Sequence, residues 1–152
     1  MPAPDSKGVE RITFRWADID ANFHVRHSVY YDLGSQQRVN VLAAHGLTMS
    51  DMQRGNFGPV LFREECRFFK EIKPEDVIEL VPMLKGLSKD YRKFTINHAF
   101  MRDDVCCAVV QVEGAWFNSI ERKIFVPPQQ VVDAMNGFPR AEEFEWLERS
   151  RT

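Results

Sequence analysis

The stretch ITFRWADIDANFHVRHSVYYDLGSQQRVNVLAAHG, residues 12–46, changes character twice. Ile12, Phe14 and Trp16 alternate with Thr13 and Arg15, the pattern of a half-buried strand, and this predicts a β-strand over 10–17. Asp18, Asp20, Asn22 and His24 then crowd together. A strand that only had to reverse direction could do so with Asn-Gly or Pro-Asp, so the cluster poses a question of chemistry. Beyond it, Ser28 reads as the N-cap of a helix running to about Ala44, with Gly46 just past its end. Tyr30, Leu33, Val41 and Ala44 recur at helical spacing. Gly34, mid-helix, costs about 1 kcal/mol relative to alanine and implies that something approaches the backbone closely.

Outward from the helix, LTMSDMQRGNF (47–57) reads as a loop. GPVLFREECRFF, DVIELVPMLKGL, RKFTINHAFM and VCCAVVQVEGAWF follow as β-rich segments, separated by turn signals at Lys73-Pro74-Glu75, Ser88-Lys89-Asp90 and Arg102-Asp103-Asp104. Phe94, Ile96, His98 and Phe100 share one face of the third of these, and His98 is expected packed in the sheet or at a dimer seam. Pro127 and Pro128 open a short helix near 131–135, and AEEFEWLERS (141–150) reads as a final amphipathic helix. The expected architecture is α+β: one domain over 1–152, with a core of about 9–135 and a helical extension over 136–150. In it an antiparallel sheet of five to six strands curls around one long helix, with short C-terminal helices. Such a sheet leaves edges open, and pairing two copies edge to edge predicts a homodimer, extendable to a dimer of dimers.

Composition narrows the function. Hydrophobic residues make up 44% and charged residues 28%, an ordinary globular mixture, and a net charge of −2 supplies no field for nucleic acid or an anionic membrane. No apolar run is long enough to span a bilayer, and the start, MPAPDSKGVER, lacks a secretory core, so a cytoplasmic location is expected. Cys66, Cys106 and Cys107 show no CxxC spacing and no histidine pair, which points to neither a disulfide framework nor a metal site. Cys106 and Cys107 read as small hydrophobes in a buried strand.

The order strand, polar loop, helix start sets carboxylates beside the unpaired N–H groups of a helix N-terminus, which favour developing negative charge. Acyl transfer needs both a base or nucleophile and an oxyanion site. Asp18-Ile19-Asp20-Ala21-Asn22-Phe23-His24-Val25, followed by His27 and Tyr30, resembles the D-x-D-x-N-x-H-V-N-N-x-x-Y signature of hotdog-fold thioesterases. Both the plant acyl-ACP type and the 4-hydroxybenzoyl-CoA type are similar, over roughly residues 9–135. The resemblance implies a hotdog fold and hydrolysis of an acyl-CoA or acyl-ACP thioester, with no cofactor beyond the coenzyme A of the substrate. It assigns the catalytic carboxylate to Asp20, its polar partners to Asn22 and His24, and the oxyanion-holding N–H to His27. Tyr30 falls on the helix aromatic, and Lys89, Arg92 and Lys93 fall where the hydroxybenzoyl type carries basic residues against the nucleotide phosphate. Arg26 and His27 replace the paired asparagines, and Ser35, followed by Gln36, replaces a helix glutamate; the nucleophile or base role of Asp20 stays open. Two other readings share the fold: an enoyl-CoA hydratase or dehydratase, though no proline follows Asn22, and a non-catalytic acyl-CoA-binding module. Asp18 is expected to serve the turn as a capping carboxylate.

Overall fold

The computed structural model describes residues 7–148. One sheet dominates. Its path runs β1 (Glu10–Ile12), β3 (Ile78–Ser88), β4 (Lys93–Arg102), β5 (Val105–Asn118) and β2 (Phe57–Phe68), every neighbouring pair antiparallel. The short β6 (Lys123–Ile124) adds to the end of β5. The helix α1 (His27–Ala44) lies across one face of this sheet, and α2 (Met49–Gly55) and α3 (Gln129–Met135) flank it. This is the hotdog arrangement that the order of elements predicted.

The helix buries Val29, Tyr30, Gly34, Gln37, Val41 and Leu42, and the sheet opposes them with Leu80, Leu84, Phe100, Val110 and Val112. Gly34 does what its place in the helix implied. A Cβ there would lie 3.2 Å from Cδ2 of His98, which is fully buried. His98 therefore packs in the sheet against α1.

Four local expectations are corrected. The first strand ends at Ile12, because the Arg15 amide and guanidinium bond Asp18 and draw the chain into a 3-10 turn over Trp16–Asp18. Asp18 thereby acts as the capping carboxylate expected of it. Residues 47–57 hold α2 rather than a loop; Thr48 and Asp51 form a reciprocal capping box that the polar composition concealed. The N-cap of α1 is Arg26, not Ser28, whose hydroxyl is occupied by the Arg26 guanidinium.

The fourth correction matters most for assembly. AEEFEWLERS does not form a helix: Arg140–Leu147 is a strand, β7, parallel to β3, while Arg149 and Ser150 lie outside the described residues. Ala141 is buried, and Leu147 lies against Gly86. The physical cause is the short β1, which pairs only Ile78–Leu80 and leaves the outer edge of β3 open from Leu84 to Ser88, where β7 docks. Pro82, which lacks an N–H to donate, occupies the gap between the two partners. With β3 covered, the outer side of β2 is the long unpaired edge of the sheet, and Leu61, Phe62, Phe68 and Phe69 along it are all exposed.

Candidate active site

The polar loop folds into a small closed ring. Asp20 N–H donates to the His24 carbonyl at 2.9 Å, and Ile19 bridges Val25. Inside the ring, Asp20 Oδ1 accepts from the backbone N–H of Asn22 at 2.9 Å and of His24 at 3.2 Å. Phe23 closes the turn at φ 61°, a left-handed conformation that an aromatic residue adopts only when its surroundings impose it. Two further bonds seat the ring: Val25 N–H to the Ile72 carbonyl and Arg26 N–H to the Asp18 carbonyl, each 2.9 Å. One carboxylate oxygen of Asp20 is thus fixed by main-chain donors. The other, Oδ2, has no hydrogen-bond partner among the described residues.

Asp20 borders a cleft of about 400 Å3. His24, His27 and Tyr30 line it with Asp20 on one side, and Phe68, Phe69, Lys70 and Glu71 from the end of β2 on the other. The N-terminus of α1 faces the same region. Arg26 makes no side-chain cap, and the backbone N–H groups of His27 and Ser28 have no acceptor among the described residues. Orphan donors at a helix start are a place for a developing oxyanion. Tyr30 packs edge-on against Phe68 at 5.0 Å and tilted against Phe100 at 5.0 Å. Burial, with the fields of Cys66, Cys107 and Asp20 added, pushes its phenol up to about 12, so it stays neutral at working pH.

Of the residues singled out in the sequence, Asp20, His24, His27 and Tyr30 meet at this cleft. Asn22 contributes its backbone N–H, and its side chain is not among those lining the cleft. Lys89, Arg92 and Lys93 lie elsewhere. They occupy the β3–β4 hairpin, and the nine steps of β4 separate that end from the Arg102 end, beside Glu71, by about 30 Å. There, Lys89 sits over the Trp146 ring at 5.5 Å and Arg92 pairs with Asp90 at 3.4 Å. The residues that the sequence reading missed are those at the end of β2. Glu71 Oε2 lies 3.7 Å from His24 Nε2, and the signal available was the charged Lys70-Glu71 directly after the Phe68-Phe69 pair. No group of three or more histidine, cysteine or acidic residues able to hold a metal occurs among the described residues, and no helix there is long and apolar enough to cross a membrane.

Comparison with known proteins bears on the fold and on the family. A hypothetical protein from Aquifex aeolicus superposes with a TM-score of 0.75 at 24% identity, covering 83% of this chain and 97% of that one. A hypothetical protein from Staphylococcus aureus, solved in complex with CoA, gives 0.78 at 14% identity over 94% of this chain and 89% of its own. A 1,4-dihydroxy-2-naphthoyl-CoA thioesterase from Synechocystis gives 0.74 at 16% identity over 84% and 94%. No curated protein sequence matches the chain. At these identities the structures establish the fold. The sequence itself matches the family model of the thioesterase-like superfamily over residues 14–135, a span that holds the polar loop, α1 and strands β2 to β6 and stops before β7, and the chain belongs to that superfamily.

Proposed function

We propose that the protein hydrolyses an acyl-CoA thioester and that Asp20 is the group that initiates the reaction. The observation carrying this reading is the divided role of its carboxylate: Oδ1 is held by two backbone N–H groups, while Oδ2 has no partner among the described residues, and Asp20 lines a cleft together with His27, the first residue of α1, whose N–H is unpaired among the described residues. A thioester carbonyl bound with its oxygen toward the His27 N–H presents its carbon to Oδ2 or to a water resting on it. As the tetrahedral centre forms, charge moves onto the carbonyl oxygen, and the helix donors and dipole stabilise it. Collapse expels the thiolate of CoA, giving the free acid where water attacked, or an anhydride with Asp20 that a water then hydrolyses to the acid and the restored carboxylate. His24, close to Glu71, stands beside Asp20 as a polar partner in this step.

The reading includes a second copy of the chain. The exposed apolar outer edge of β2 pairs antiparallel with its own copy about a twofold axis, the commonest closed assembly. The Phe68 end of one β2 then meets the Phe57 end of the other. Lys93 pairs with Ala115, which pairs with Val60, so the Lys89, Arg92 and Lys93 hairpin belongs to that Phe57 end. In the dimer these cations approach the partner's Asp20 cleft, where CoA phosphates would lie. The CoA complex of the similar staphylococcal protein supports this choice of thiol carrier.

The test is thiol release from a panel of short, medium, long and aryl CoA thioesters by the wild type and Asp20→Asn. The amide oxygen of asparagine still accepts both loop N–H groups, so the variant folds. Turnover is expected to fall by about 10²–10⁴-fold. Full turnover by a folded Asp20→Asn would remove the assignment, and hydration of an enoyl-CoA without thiol release would replace the reaction.

A further inference from the structure

Beside the Asp20 cleft lies a second cavity, of about 440 Å3, formed by the β2–β3 connection and the end of β4. Phe69, Lys70 and Glu71 line both, so the two adjoin along the chain leaving β2. Lys73, Asp76 and Arg102 complete the second. Its two carboxylates are already engaged. Asp76 Oδ2 accepts from the Lys73 backbone N–H at 2.9 Å and from Arg102 Nη1 at 2.8 Å, and Glu71 lies 3.7 Å from His24 in the Asp20 cleft. Arg102 also donates to the Glu71 carbonyl at 3.1 Å, which ties the connection to β4 and fixes the shape of the cavity. The ammonium groups of Lys70 and Lys73 are left over: neither has a hydrogen-bond or ion-pair partner among the described residues. The other acids at this end, Glu75, Asp103 and Asp104, are exposed and do not line the cavity.

Polar walls with two uncompensated cations suit one end of a thioester and not the other. An apolar acyl chain laid there would strip water from both ammonium groups and return no bond. A phosphate ester offers charge and several acceptor oxygens, and lysine binds it as a point charge. The three shared residues set the order of a bound substrate: the thioester at Asp20, then the pantetheine arm over Phe69, which is 56% exposed, then the phosphates. CoA has two phosphate stations, a diphosphate next to the pantetheine and a 3′-phosphate on the ribose beyond it. The dimer has two groups of cations to meet them, and here the inference rests on the reaction and assembly proposed above. Lys70 lines the Asp20 cleft as well, so the cavity serves the nearer station, and the basic hairpin of the partner serves the farther one.

We propose that Lys70 and Lys73 hold the diphosphate of CoA in this cavity, while the partner's Lys89, Arg92 and Lys93 hold the 3′-phosphate. The protein then recognises its substrate by the diphosphate and takes a CoA thioester ahead of a phosphate-free pantetheine thioester.

Calorimetric binding of three non-hydrolysable thioethers, S-octyl-CoA, S-octyl-dephospho-CoA and S-octyl-pantetheine, tests this in the wild type, Lys73→Gln and Lys93→Gln. Low ionic strength is used, where such contacts are least screened. Lys73 lines the cavity and not the Asp20 cleft, and its side chain is exposed, so Lys73→Gln keeps the backbone bond to Asp76 and the fold. It is expected to bind the CoA and dephospho-CoA thioethers about fivefold more weakly, the loss of one exposed ion pair, and the pantetheine thioether as the wild type does. Lys93→Gln is expected to weaken the CoA thioether alone. Equal wild-type affinities for the three ligands, undiminished binding of the dephospho-CoA thioether by Lys73→Gln, or its loss in Lys93→Gln instead would overturn the proposal. Lys85→Gln, which removes a cation bonded to Gln111 in mid-sheet, controls for a general field: a loss equal to that of Lys73→Gln would show that no local contact is made. Thiol release from the matching thioesters separates the two readings. The expected binding pattern without any cleavage overturns the reaction and leaves the cavity assignment standing, whereas cleavage with equal affinity for all three ligands does the reverse.

Discussion

Gln37 Oε1 on α1 lies 2.7 Å from His98 Nδ1 on β4, and this contact determines the tautomer of His98. The Gln37 amide nitrogen already donates to the Leu80 carbonyl at 2.6 Å and the Gly8 carbonyl at 3.0 Å, so its oxygen must accept from His98. His98 therefore carries its proton on Nδ1. Its bare Nε2 accepts from the Arg38 guanidinium at 3.1 Å. A second proton has nowhere to go.

Burial, reinforced by the Arg38 charge, holds the His98 imidazole well below its ordinary value of 6.5. In the unfolded chain the same group protonates near 6.5, so between that value and the lower folded one the unfolded state binds more protons. Stability is expected to be full above pH 6.5 and to fall as pH drops below it. Urea unfolding at pH 8 and at about pH 5 should show this loss in the wild type and a smaller one in His98→Asn, which keeps a donor for Gln37. Parallel losses in the two proteins would refute the tautomer.

Gly34→Ala sets a helix preference against a fixed ring. Alanine is favoured over glycine in a helix by about 1 kcal/mol. The new Cβ, however, would stand 3.2 Å from His98 Cδ2 and 3.5 Å from Val110 Cγ1, and His98 is pinned at both nitrogens. Overpacking costs about 1–3 kcal/mol, so a net destabilisation of about 1 kcal/mol is expected. A higher melting temperature in Gly34→Ala would mean that the ring yields.

The two roles open to Asp20 leave different isotopic traces. In a single turnover in oxygen-18 water with enzyme in excess, an attacking carboxylate incorporates the label into Asp20 when the anhydride is hydrolysed at the protein carbonyl. A general base delivers it only to the product acid. Mass spectrometry of the peptide containing Asp20 distinguishes them. With Oδ2 unbonded among the described residues and Asp20 lining the cleft, attack by the carboxylate is the expected course.

Truncation after Pro139 removes β7 and re-exposes Leu84–Ser88 on the edge of β3. The lost burial of Ala141 and of the Leu147 contact on Gly86 is expected to cost about 2 kcal/mol or more. Light scattering on mild heating should rise, because an open apolar edge recruits other chains. Unchanged melting and scattering would mean that β7 is dispensable.

Phe62, 59% exposed on the free edge of β2, is the probe of assembly. Phe62→Glu places like charges across a twofold axis and is expected to shift the protein from dimer to monomer in sedimentation at micromolar concentration. Thiol release should fall with it, since each cleft then loses the basic hairpin of its partner. A variant that stays dimeric would move the interface away from this edge.

What the sequence determined by itself was local and periodic. Four β-rich segments, their turns, the span of α1 and the polar loop before it were legible because alternation, helical spacing and turn residues report the backbone directly. Gly34 even announced a close neighbour, though not that the neighbour was His98. The tertiary structure decided what depends on distant partners. AEEFEWL carries an amphipathic helical pattern, and it became a strand because β3 offered it an unpaired edge. Asn22 and Asp20 were near neighbours in sequence under either reading; only the closed ring showed the first giving its main chain to fix the second. The separation of Lys89, Arg92 and Lys93 from Asp20 along β4, and the burial of the Trp116 indole N–H, belong to the same class. Spacing along a chain encodes which atoms can repeat on one face, and it carries no information about which face a remote segment will cover.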